Sequence, residues 1–301
     1  MKLKIYINFF ILMIFVGSIY CGINEEAGTR GSNFLRVVST ARGSSMGGAF
    51  VGIKGDISCL SWNPGCLGTI DEYQFNATYG MWIADTSFGD IIFGHPKGLG
   101  IGISYFDYGN FSRVVGQDEY GVPIEEGSFS VKDIKISMGY GKGLRLKNLE
   151  REIFLGITGK LVQNTIDKDT VSSYGIDIGG YYEIKKGLNI GLSMVNIGIS
   201  EQINLGAVKE INVRKEDRIL ASIEIDKPVD NNMRYTFGLE YGYQNRFFGR
   251  IGYRGKYADW LTAGIGVLYK DIRIDYAYCP FNILGNTHKL SLGFSFGSLK
   301  N

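Results

Sequence analysis

From about residue 72 to Phe296 the chain is a succession of short segments in which every second residue is apolar. In 99–106, LGIGISYF, Leu99, Ile101, Ile103 and Tyr105 share one face, and Gly100, Gly102 and Ser104 share the other. The same alternation runs through 188–195, 261–269, 271–278 and 288–296. A side-chain period of two is that of a β-strand. Strands that are apolar on one face and glycine-rich or charged on the other suit a transmembrane antiparallel β-barrel, with lipid outside and an aqueous lumen inside.

The pattern predicts strands near 72–80, 90–95, 99–108, 129–141, 152–163, 172–184, 188–197, 218–226, 234–243, 247–255, 260–269, 271–279 and 288–296. That count is odd, whereas single-chain bacterial barrels close with an even number. The tight connections at 96–98 and 185–187 fall on one side of the sheet and the long 109–128 segment on the other. The tight turn at 270–271 reaches its proper side only if one more strand lies between 198 and 217. The stretch 203–213, INLGAVKEINV, supplies it, so the expected wall has about 14 strands.

Charges sit on the polar face of these strands: Asp177, Glu183, Glu224, Glu240, Arg250, Arg254, Arg273, Asp275 and Lys289. On the lipid face, Arg or Lys near the midplane would cost about 2–4 kcal/mol, so these side chains point into the lumen. Both signs are present, which favours neither an anion- nor a cation-selective pore. Tyr105, Tyr108, Tyr140, Tyr181, Tyr182, Tyr241, Tyr243, Tyr276 and Tyr278 fall near strand ends, where amphipathic rings meet the headgroups. Strand propensity alone also enriches Tyr.

Residues about 22–70 lack sustained alternation and are rich in Gly and small residues, as befits a compact plug rather than wall. Asp56 is placed to cap a short helical turn through about Ser61, and Pro64 to end it. Cys59 and Cys66 flank Trp62-Asn63-Pro64; they either bridge in an oxidising compartment or pack as small residues. Upstream, Lys2 and Lys4 precede an apolar run from Ile5 to Val16, followed by Gly17, Ser18 and Cys21. This reads as a secretory signal peptide over 1–21, because the run is shorter than the about 20 residues a membrane helix needs. Three units result: signal 1–21, hatch 22–70 and barrel 71–301.

Composition narrows the function classes. Among 301 residues there are 43 Gly and only 5 Pro, the formal net charge is +2, and mean hydropathy is near zero. No basic excess points to nucleic acid, and zero hydropathy is ordinary where only alternate residues meet lipid. The glycine run Gly98-x-Gly100-x-Gly102 has no helix after it to hold a phosphate. His95 and His288 are too few and too far apart for a zinc site. No nucleophile elbow or CxxC pair is present, so the sequence points to no enzyme, no metal and no cofactor.

The sharpest local signal is 34–68, FLRVVSTARGSSMGGAFVGIKGDISCLSWNPGCLG. With Phe34-Leu35, Ala41-Arg42, Met46-Gly47-Gly48-Ala49-Phe50, Asp56 and Trp62-Asn63-Pro64 with Leu67, it resembles the PorV/PorQ family of FadL-like outer-membrane proteins. Further matches are Trp82-Ile83-Ala84-Asp85, Val195-Asn196-Ile197-Gly198 and Thr287-His288-Lys289-Leu290-Ser291. The chain departs from that pattern at Gly65-Cys66 and in having the single acid Asp56. The resemblance implies a 14-stranded barrel with its N-terminal segment inside as a hatch. In that hatch Met46, Gly47, Gly48, Asp56, Trp62, Asn63 and Pro64 either fold the plug or form a movable gate. It implies outer-membrane lipid as surroundings and passage of hydrophobic or amphipathic small molecules. The alternative it implies is a secretion component that binds exported protein cargo through long outer loops such as 109–128.

Overall fold

The computed structural model describes residues 29–147, 149–255 and 260–297; the signal segment read at 1–21 lies outside the described residues. Fourteen antiparallel strands form one closed barrel. They are β1 (Tyr73–Met81), β2 (Ser87–His95), β3 (Leu99–Gln117), β4 (Pro123–Leu144), β5 (Ile153–Ile166), β6 (Asp169–Lys185) and β7 (Leu188–Ile197). The other half comprises β8 (Gln202–Asn212), β9 (Arg218–Pro228), β10 (Arg234–Tyr243), β11 (Phe247–Gly255), β12 (Leu261–Tyr269), β13 (Ile272–Pro280) and β14 (Asn286–Phe296). The strand expected between 198 and 217 is β8. Each strand pairs with its sequence neighbours, and β1 closes on β14 from Tyr73↔Phe296 to Met81↔His288. At that seam the Tyr73 and Phe296 rings stack 5.3 Å apart.

Ten of the strands run 9 to 11 residues, the length a tilted strand needs to cross a bilayer. Outward positions around the wall are apolar and exposed: Ile101 and Ile103 on β3, Ile176 and Ile178 on β6, Leu239 and Tyr241 on β10, Ile265 and Val267 on β12. Only a surrounding of lipid makes such a belt favourable.

The 109–128 segment is not a loop. β3 and β4 continue past the rim as a paired ribbon whose tip lies at 118–122. Register shifts between Asp107 and Asn110, between Ser112 and Val114, and between Val114 and Gly116 twist it away from the wall. Both of its faces are solvated, so no period-two signal survives in its sequence. The Phe111 and Phe129 rings, 5.7 Å apart, pin its base.

The lumen holds the hatch that the 34–68 resemblance implies. It is filled rather than aqueous, because residues 29–72 descend through it from the ribbon end toward the opposite end, where β1 begins. A short α1 (Ala41–Ser45) and 3-10 turns at Asn33–Arg36, Ile57–Ser61 and Pro64–Thr69 make up this hatch. Its apolar side chains build a core inside the barrel: Met46, Phe50 and Ile53 against Val208 and Leu220, and Ile57, Leu60 and Leu67 against Ile92 and Tyr181. Tyr181, expected at the headgroups, therefore points inward and is 2% exposed. Tyr108 also faces inward, against Phe106. The inward glycines of the wall are where hatch backbone comes close. A Cβ on Gly252 would overlap Gly47 N, one on Gly191 would overlap Val51 O, and one on Gly156 would overlap Pro64 O.

Candidate functional site: the hatch seat and the cavity above it

Arg42, on α1, anchors the hatch. Its Nε and Nη2 donate to Glu240 on β10 at 3.0 and 2.9 Å, and Nη1 donates to Asp56 at 2.7 Å. Glu240 is fully buried and also accepts from Arg250 Nε at 2.6 Å, with Arg218 and Arg273 at 3.4 and 3.7 Å. Arg250 reaches Asp275 at 2.9 Å, Arg273 donates to Asp275 at 2.8 Å, and Arg218 lies 3.8 Å from Glu210. Four guanidiniums thus meet four carboxylates, and the Arg218, Arg250 and Arg273 planes lie against the Phe248 ring. Buried charges persist only when paired in this way. Burial alone would weaken the Arg42 charge, but Glu240 and Asp56 outweigh it and raise its pKa. Burial pushes Asp56 upward, yet Arg42 and the Ser58 N–H bring its carboxyl below the ordinary value.

Four of the nine lumen charges singled out from sequence, Glu240, Arg250, Arg273 and Asp275, therefore share one cluster. Glu224 stands apart: its Oε2 accepts the Phe50 and Val51 N–H groups at 2.8 and 2.9 Å, clasping the hatch backbone. Asp177 is elsewhere again, paired with Lys160 at 2.7 Å and accepting the Asn196 N–H where β7 bulges against β6.

The hatch motif residues act locally. Met46 is fully buried, and Gly47 and Gly48 take positive φ of 66° and 81°, with Gly47 tight against Phe237 O and Tyr253 O. Asp56 caps the 57–61 turn by accepting from Ser58 N at 2.9 Å. Asn63 caps the next turn, which Pro64 opens rather than ends the previous one, and its Nδ2 donates to Val51 O and Gly180 O. The Trp62 ring packs 5.7 Å from Phe50, and its carbonyl accepts from Ser193. Cys59 and Cys66 are unbridged and buried, and burial pushes both thiols well above the ordinary value.

Above the hatch, residues 32–39 strap across the ribbon end. Ser32 bonds Asn164, and Arg36 clasps Asp230 at 2.5 and 3.1 Å and Ser200 at 2.6 Å. Lys289 Nζ holds Val38 O at 2.6 Å and Ser44 Oγ at 2.8 Å. Between strap, Trp62 and wall lies a cavity of about 70 Å³. Phe34, Phe88 and Phe106 line its apolar part, and Lys135, Lys160 and Asn204 its polar part. A smaller one of about 30 Å³ continues toward Glu224 and Arg254. Sequence reasoning missed Arg42, Lys135 and Lys160 as site residues. The two lysines carry the signal that revealed Glu240, a charge alternating with apolar neighbours: Ile134 and Ile136 flank Lys135.

No protein-family profile and no curated protein matches this sequence. Solved structures do share its fold. The toluene transporter TbuX of Ralstonia pickettii aligns with a TM-score of 0.58 at 12% identity, covering 86% of this chain and 98% of its own. The Pseudomonas putida toluene transporter TodX gives 0.52 at 12% identity over 84% and 96%. A Pseudomonas aeruginosa FadL homologue gives 0.51 at 10% identity over 86% and 98%. At such identities the likeness is one of architecture: a 14-stranded barrel similar to those of FadL-type outer-membrane proteins.

Proposed function

We propose that this chain is an outer-membrane barrel that passes hydrophobic or amphipathic small molecules, with residues 22–70 as a hatch that must shift for passage. The observation that carries the reading is the aromatic-lined cavity between strap, hatch and wall, within a barrel whose lumen the hatch otherwise fills. A plug held by discrete clasps at Arg42, Glu224 and Asn63 suits a gated path better than an open pore. The solved neighbours named as toluene transporters support it by fold. In this reading residues 1–21 direct export, the ribbon end faces outward, and the tight turns at 96–98, 186–187 and 270–271 face the periplasm. The PorV/PorQ assignment belongs to the same proposal and rests on the 34–68 run.

The test is reconstitution. Membrane fractionation should place the protein in the outer membrane and require detergent for its release. In vesicles it should admit a small aromatic hydrocarbon faster than protein-free vesicles, while planar bilayers show little steady conductance. Large open-pore currents would refute the plugged barrel, and hydrocarbon uptake equal to that of empty vesicles would refute transport.

The ribbon of β3 and β4 favours a second reading, a secretion component that binds protein cargo. It stands about 27 Å beyond Asn110 at 3.4 Å per residue and exposes Phe111, Val114, Tyr120 and Ile124. Deleting 110–128 should abolish cargo capture and leave small-molecule passage intact if both readings hold; unchanged secretion would remove the second.

A further inference from the structure

Lys135 projects from β4 into the cavity and is 7% exposed, yet among the described residues its one polar contact is Ser61 Oγ at 3.5 Å. Two carboxylates act on it from a distance without touching it. Asp90 accepts from the Ser39 and Ser104 hydroxyls, and Asp177 is paired with Lys160. Lys160, by contrast, has both Asp177 and Asn196 Oδ1, each at 2.7 Å. A buried ammonium with no carboxylate in contact is costly, and a bound anion would offset that cost. Phe34, Phe88 and Phe106 form an aromatic wall in the same cavity.

We propose that this cavity binds a small amphipathic anion, an aromatic carboxylic acid of single-ring size, with its carboxylate on Lys135 Nζ and its ring against Phe88 and Phe106. The inference rests on the transport reading above and narrows it, since a neutral hydrocarbon leaves Lys135 without a counter-ion. Size sets the rest of the arrangement. The cavity is about 70 Å³, whereas an apolar cavity known to hold benzene is about 150 Å³. A ring therefore enters by taking the place of Phe34, which the strap now inserts beside Phe106 at 6.4 Å. A long acyl chain finds no room beside the hatch.

The experiment is calorimetric titration of the full-length protein in detergent with 4-ethylbenzoate and with its neutral counterpart 4-ethylbenzyl alcohol. The acid should bind at least about tenfold more tightly, the ratio expected of one charge-assisted bond in a desolvated site. Lys135→Gln should erase that preference without weakening the alcohol, and Lys135→Arg should keep it. Equal affinities in the wild type, or an acid affinity unchanged in Lys135→Gln, overturn the proposal while leaving the transport reading standing. If neither compound binds, both fall. Folding of each variant is read from its heat-modifiable gel mobility. If Lys135→Gln does not fold, the wild-type comparison and Lys135→Arg still decide.

Discussion

Replacing Arg42 by Met should loosen the hatch and spare the wall. Methionine keeps an apolar stem beside Phe50, over whose ring the guanidinium lies at 5.6 Å, so the change removes charge more than volume. Three charge-assisted bonds disappear, two to Glu240 and one to Asp56. Neither acid is orphaned, because Glu240 in the wall keeps Arg250 at 2.6 Å and Asp56 in the hatch keeps the Ser58 N–H. Only the two bonds to Glu240 join hatch to wall, and at about 1.5–3 kcal/mol each their loss should lower the ratio of seated to unseated hatch by roughly two to four powers of ten. Single-channel recording should then show brief openings in R42M bilayers where the wild type is silent. The heat-modified mobility of the barrel should stay near that of the wild type. Silent R42M bilayers, with the hatch still protected from protease, would show that Arg42 does not hold the hatch. A drop in barrel stability as large as that of Glu240→Ala would show that it serves the wall instead.

Other outcomes follow from the same geometry. The carboxyl of Asp56 is held below its ordinary value of 3.8, so its clasp on Arg42 is fully present above that pH and is lost as pH falls through the lowered folded value. The contribution of Asp56 to hatch protection from protease should therefore be constant above about pH 3.8 and lost below it, and Asp56→Asn should flatten that acid limb. Gly252→Ala should force Gly47 off the wall at a cost of about 1–3 kcal/mol, raising bilayer conductance, whereas Gly249→Ala, with open space around its Cβ, should not. Cys59 and Cys66, buried with raised pKa values, should resist maleimide in the folded barrel and react after denaturation. Mass spectrometry of their peptides reads the result.

The wall was legible because lipid acts on every strand alike: Ile101, Ile103, Leu239 and Ile265 repeat one requirement, and a period of two records it. Turn parity then placed β8 where its mixed 203–213 sequence gave a weak strand signal. The hatch seat was not legible. Gly156 or Gly252 has the same appearance in sequence whether it faces water or packed backbone, so the points where the hatch touches the wall could not be read from it. Tyr181 broke the alternation at 181–182 for the same reason, since it serves the hatch core while Tyr182 serves the lipid side. The acids and arginines of the lumen were found as a set by their polar-face positions. Their partners were not, because Arg42 and Glu240 lie 198 residues apart and no periodic signal links them.

The seam between β1 and β14 bears on how the molecule is made. The hatch precedes β1 in the chain, and Tyr73 meets Phe296 only once every other strand has been threaded. Closure therefore joins the two ends of the barrel across more than two hundred residues, the kind of distant pairing that forms slowly. Until it does, the hatch can leave sideways; afterwards it is enclosed, like a ship assembled inside its bottle. A seam that closed before the hatch was seated would yield a hollow barrel with the same strands. Capture of the hatch before closure would thus account for a lumen that is filled rather than open.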